Sequence, residues 1–149
     1  MRILLVPPSD WLSHPLSSRL HFIFERLAKS HEVHVIRYPI PLWKKKRESK
    51  AIVHEAKGIQ IRDLSLYYVI NAPYHLSLFD NILKTCGIDV IVFANILTGA
   101  ESVILGKQHG IPLVCDYLDH FPESASSYYS NPVAKALVAE VVLGLQNGT

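Results

Sequence analysis

The chain has 149 residues, 49% of them hydrophobic, and a formal net charge of +2. That length suits one domain with a real core. The apolar content excludes a disordered chain, and no apolar run reaches the roughly 18 to 20 residues that a membrane span needs. The start, MRILLVPPSD, is too short for a signal peptide and lacks a small-residue cleavage site, so a cytoplasmic protein is expected. Cys86 and Cys115 are too few for a disulfide framework and have no ligand-spaced partners. They read as free buried thiols, with no cofactor implied.

RILLV (2–6) is a continuous apolar run, as expected of a strand covered on both faces. From Ser17 onward the period changes: Leu20, Ile23, Phe24 and Leu27 recur at helical spacing. EVHVIRY (32–38) is alternating and β-branched, hence a strand, and Pro39 and Pro41 stop it because proline cannot donate to a ladder. The stretch to about Gly58 is polar and basic, while IQIRDL and LYYVI are weaker strand candidates. Phe79, Ile82, Leu83 and Cys86 form another helical stripe, with Gly87 placed to end it in the left-handed conformation. DVIVFAN (89–95) is a buried strand. Thr98 with Glu101 reads as a capping box that starts a helix ending at Gly110. PLVCD (112–116) is the next buried strand, and Asn131 with Pro132 suits the start of a helix carrying Val133, Leu137, Val138 and Val141. Strands alternating with helices predict an open parallel α/β sheet with helices on both faces, a single Rossmann-like domain over 1–149.

Such sheets bind ligands beyond the C-terminal ends of their strands. VCDYLDHFPES (114–124) sets Asp116, Asp119, His120 and Glu123 just past one such end. The same acids also suit a solvated loop or a helix start. A dinucleotide fold wants a glycine-rich first turn, but PPSDWLSHPLSS has no glycine. Ser17 and Ser18, with the free amides of a helix start, either cradle an anion or simply cap the helix. His14 and His120 are candidate hydrogen-bond donors or general bases, whereas His21, His34 and His75 fall within elements and are expected to be structural or solvent-facing. Asp116, Asp119 and His120 match no strong metal motif, and no metal is expected. In PLWKKKRESK, Trp43 followed by Lys44, Lys45, Lys46 and Arg47 suits an anionic membrane surface as well as a solvated loop. Nothing resembles a recognition helix or a stacking sheet, so no nucleic-acid partner is expected.

Three segments together resemble a known family. SSRLHFIFERLAKSHEVHVI is similar to the first helix and second strand, and DVIVFAN with GKQHGIPLVCDYLDHFPE to the fourth and fifth strands, of the N-terminal domain of GT-B glycosyltransferases of the family 4 (group 1) type. In that family the strand commonly ends in an aspartate, then an aromatic or histidine, an aspartate and often Phe-Pro-Glu. This chain has serines and prolines where the family usually has glycines after the first strand, and Leu118 at the rim motif's histidine position, with His120 two residues on. The resemblance implies a retaining transfer of sugar from a nucleotide-sugar donor to a sugar or lipid-linked acceptor, and peripheral contact with the inner face of the membrane is expected with it. It implies Asp119 and His120 as catalytic candidates, and His14, Ser17, Ser18, Asp116 and Glu123 as substrate-binding ones. The donor is then held mainly by a second domain, expected to be absent here, so that this chain alone is inactive. A complete flavodoxin-like α/β binding or regulatory module is the alternative.

Overall fold

The computed structural model describes residues 1–39, 46–62, 64–94 and 96–116. Its elements are β1 (Arg2–Val6), α1 (Arg19–Leu27), β2 (Glu32–Arg37), β3 (Ile52–Glu55), α2 (Leu64–Cys86), β4 (Val90–Phe93), α3 (Ile96–His109) and β5 (Leu113–Cys115). The strands pair in parallel, in the order β3-β2-β1-β4-β5. The most apolar strand takes the centre: Ile3 of β1 lies opposite Val33 on one side and Val90 on the other. A central strand under two helical layers needs apolar side chains at both odd and even positions. Ile3, Leu4, Leu5 and Val6 accordingly are at most 3% exposed. Leu4, Val6, Ile36 and Tyr38 share one core with Phe79, Ile82 and Leu83 of α2 and Leu105 of α3. The alternate positions Leu5 and Val35 point the other way, toward the side where Leu20 and Phe24 of α1 are buried. The expected parallel sheet with helices on both faces is thus observed. A flavodoxin-like sheet runs 2-1-3-4-5, whereas this order is that of the dinucleotide-binding sheet, so the flavodoxin-like topology of the alternative is not observed.

Several local expectations are corrected. LYYVI belongs to α2, a helix of 23 residues, and not to a strand. Its β-branched and aromatic residues suit either state in isolation, but Tyr67, Tyr68, Asn71 and His75 bury one helical face. IQIRDL is no strand either: Ile59–Arg62 has no regular structure, and the strand of this region is IVHE upstream. The helix α3 begins at Ile96, two residues before the Thr98 expected to start it. In α1 His21 takes the buried place expected of Ile23, which is 48% exposed. The strand β5 is not buried: Val114 is 49% exposed and Cys115 is also exposed, while Cys86 is half-buried, and neither forms a disulfide. Gly87 (φ +58) and Gly110 (φ +65) end α2 and α3 as expected. The helix expected over Val133, Leu137, Val138 and Val141 lies outside the described residues. The chain forms two compact units, Met1–Cys115 and Asp116–Thr149, and the account that follows concerns the first. Among the described residues, no helix is long and apolar enough to cross a membrane.

Candidate functional site at the C-terminal rim

The strand order reverses between β1 and β4, so the loops after these strands flank the crevice where open α/β sheets hold ligands. The loop after β1 is anchored by a buried ion pair. Arg37, the last residue of β2, is 3% exposed and Asp10 is fully buried. The guanidinium donates to both carboxylate oxygens, Nε to Oδ1 at 2.8 Å and Nη2 to Oδ2 at 3.1 Å, the forked geometry that makes arginine a strong carboxylate partner. Nη2 also donates to Ser13 Oγ at 3.0 Å, and Nη1 to Glu55 at the end of β3. Asp10 Oδ1 accepts the backbone N–H groups of Leu12 and Ser13, both at 3.1 Å, which folds the loop back on itself. Burial alone would lower the Arg37 pKa. The hydrogen bonds and charges of Asp10 and Glu55 outweigh it and hold the guanidinium above its ordinary value.

The rest of the loop is tied to the start of α1. Trp11 is fully buried, its indole N–H donates to Ser49 Oγ at 3.0 Å, and its ring stacks on His21 with centroids 4.0 Å apart. His21 Nε2–H donates to the Trp11 carbonyl at 2.9 Å, which leaves Nδ1 to accept the Ser18 N–H at 3.1 Å. That arrangement requires a neutral ring, and burial lowers the His21 pKa, with the Arg47 charge acting in the same sense. Ser18 is the N-cap residue of α1. Arg47 Nη1 donates to Ser17 Oγ at 2.6 Å, Nη2 to the His14 carbonyl, and the Arg47 N–H to the Leu12 carbonyl at 2.8 Å. His14, Ser17 and Ser18 are therefore gathered at one helix start, with a half-buried Arg47 among them. From there an open groove of about 560 Å³ runs along α1 to beyond its C-terminal end, carrying Arg47 near the helix start and Arg26, Lys29 and Lys50 as well. Its one acid, Glu25, is bonded to the Ser49 hydroxyl and the Lys50 N–H, so the cations dominate. Lys46 is exposed, with Nζ 4.0 Å from Glu55, while Trp43, Lys44 and Lys45 lie outside the described residues.

A second polar cluster sits beneath β2, β4 and their following turns. His75 of α2 is 1% exposed, and among the described residues neither ring nitrogen has a hydrogen-bond partner; the same holds for the hydroxyls of Tyr67 and Tyr68. His75 Nδ1 lies 3.6 Å from Glu101 Oε1, and the Tyr38 hydroxyl points at Glu101 Oε2 from 3.5 Å. The Tyr38 and His75 rings meet edge to face at 4.4 Å between centroids. Burial pushes the Tyr67 phenol up to about 12 and also raises those of Tyr38 and Tyr68, so all three stay neutral near pH 7. A buried imidazole beside a carboxylate, with its nitrogens open, can hold a bridging water or pass a proton.

Of the rim residues named from the motif, Asp116 follows β5 directly and is half-buried. Asp119, His120 and Glu123 lie outside the described residues. Sequence reasoning missed Asp10, Arg37, His75 and Glu101. The legible signals were an arginine at the end of β2 and an acid in the loop after β1. Glu101 was assigned to a cap, and its burial follows from α3 starting earlier.

No family model and no curated protein sequence matches the chain. Among solved structures, sucrose-phosphate synthase from Thermosynechococcus elongatus aligns with a TM-score of 0.62 at 14% identity, over 95% of this chain and 40% of that one. The glycotransferase of kitacinnamycin aligns with a TM-score of 0.54 at 17% identity, over 91% of this chain and 37% of that one. The chain has the α/β fold of glycosyltransferases of known structure. The expectation from the resemblance is met at the level of fold. This glycosyltransferase-like domain spans well under half the length of either neighbour.

Proposed function

We propose that this domain is the acceptor-side half of a glycosyltransferase that moves a sugar from a nucleotide-sugar donor to an acceptor, the donor being gripped chiefly by a second α/β domain. The observation that carries this reading is the basic groove along α1, which begins beside a loop pinned to the sheet by the Arg37–Asp10 pair. A groove lined by four cations and one acid suits an acceptor that bears phosphate or carboxylate. Asp119 and His120 are the proposed catalytic residues, and Asp116 and Glu123 the proposed contacts to the sugars. Calorimetric titration of this chain with UDP-, GDP- and ADP-sugars tests the division of labour. Binding no tighter than millimolar is expected; micromolar affinity for any of them would overturn the two-wall reading.

A further inference from the structure

The α2 face carries a second constellation at the other end of the sheet. The helix α2 descends from the rim, and Arg2 at the start of β1 donates through Nη1 to the carbonyl of its last residue, Cys86, at 3.0 Å. There Cys86 Sγ meets two imidazoles, His34 of β2 and His54 of β3, with one ligand atom from each residue lying within 4.8 Å of the others. We propose that His34, His54 and Cys86 form a binding site for a borderline-soft divalent metal ion, zinc in the first place.

The hydrogen bonding already prepares the ligands. Glu32 Oε1 lies 2.9 Å from His34 Nε2, and a carboxylate only accepts, so Nε2 carries the proton and Nδ1 presents its lone pair. That Nδ1 lies 2.8 Å from His54 Nε2, with the ring planes 14° apart. With His34 Nδ1 bare, the proton between the two nitrogens belongs to His54. A metal ion takes the place of this proton: His54 moves its proton to Nδ1, the Cys86 thiol releases its own to solvent, and the two nitrogens separate by roughly half an ångström to fit zinc–nitrogen bonds of about 2.0–2.1 Å. Glu32 then stands behind His34 as the carboxylate that fixes its tautomer. Two imidazoles and a thiolate select zinc over magnesium or calcium, which take oxygen ligands. Water completes the coordination.

The location indicates a structural role. The strand β3 has four residues and ends the described sheet, and its Ile52 is 48% exposed. An ion held by β2, β3 and the end of α2 clips this strand to the layer beneath it. The site lies away from the loop after β1, so its test is independent of sugar transfer.

Tag-free protein, reduced and stripped with a chelator, is titrated with cobalt(II) and then with zinc(II). We expect stoichiometric cobalt to develop thiolate-to-metal charge-transfer absorption, which zinc quenches by displacement. The absorption should vanish in Cys86→Ser and persist in Cys115→Ser. Zinc should raise the Tm of the unaltered protein and leave that of Cys86→Ser unchanged, circular dichroism showing both to be folded. His54→Gln, at a half-exposed position, should weaken cobalt binding at least tenfold and serves as the test if Cys86→Ser does not fold. Absence of the charge-transfer band, or a band of equal strength in Cys86→Ser, would overturn the proposal. So would zinc binding that none of these substitutions alters, which would place the ion on others of the eight histidines.

Discussion

Taking one partner from a buried ion pair leaves the other charge uncompensated where water cannot reach it, at a cost of about 3–5 kcal/mol. Arg37 and Asp10 are both buried and bonded to each other, so Arg37→Met and Asp10→Leu should each lower the unfolding free energy measured in urea by up to that amount, Asp10→Leu by less because Arg37 keeps its bond to Glu55. The double variant should lose less than the sum, because each single change already forfeits the shared interaction. An additive double variant would show that the pair does not act as a unit. His21 gives a pH dependence whose sign is set by its lowered pKa. Between the depressed folded value and the unfolded value of about 6.5, the unfolded chain binds more protons, so stability is full above that value and falls as the pH drops through the window. His21→Gln should flatten the fall below about pH 6.5 in chemical denaturation curves; an unchanged slope would assign it to another group. At His75 the expectation concerns hydrogen bonding: among the described residues its buried ring nitrogens have no hydrogen-bond partner. An unsatisfied buried polar group costs about 1–3 kcal/mol, so His75→Leu should hold or raise Tm. A fall of several degrees would mean that a bridging water satisfies the ring.

Two helices end on glycines with positive φ, Gly87 and Gly110, yet their surroundings differ. A Cβ at Gly110 meets nothing within 4 Å, whereas one at Gly87 would run into the Arg2 guanidinium that bonds the Cys86 carbonyl. Left-handed strain costs an L-residue about 1–2 kcal/mol. Gly110→Ala should lose about that amount, and Gly87→Ala more, because it also displaces Arg2. Equal losses by thermal unfolding would show that Arg2 moves aside freely. These glycine stops were legible in the sequence because each follows an apolar helical stripe. The beginnings of α2 and α3 were not. LYYVI favours a strand by its residue types, and only the burial of Asn71 and His75 one and two turns on makes it a helix. IVHE was hidden because an edge strand with His54 and Glu55 offers too little apolar pattern to stand out from its basic surroundings.

At the scale of the molecule, the sheet was readable from its alternation of apolar runs and helical stripes, and its rim could be located from strand ends alone. The groups that shape that rim could not. Arg37, Asp10 and Glu55 come from β2, the first loop and β3, far apart in sequence, and only the strand order brings them together. The weak binding expected of nucleotide-sugars has the same large-scale origin. One wall of a cleft offers part of the contacts, while the loss of ligand freedom, an estimated 4 kcal/mol or more, is almost undiminished. The central place of β1 has a further consequence, for the order of events during synthesis. β1 pairs with β2 about thirty residues later, but its other neighbour is β4, and the Arg2 N–H finds the Asp89 carboxylate across 87 residues of chain. Parallel neighbours must await their crossovers, and contacts so distant form slowly. On the ribosome the apolar strand RILLV therefore emerges before both its partners and stays half-paired until α2 and β4 have followed it. Its open edge is then a ready target for chaperones, or for the same strand of another nascent chain.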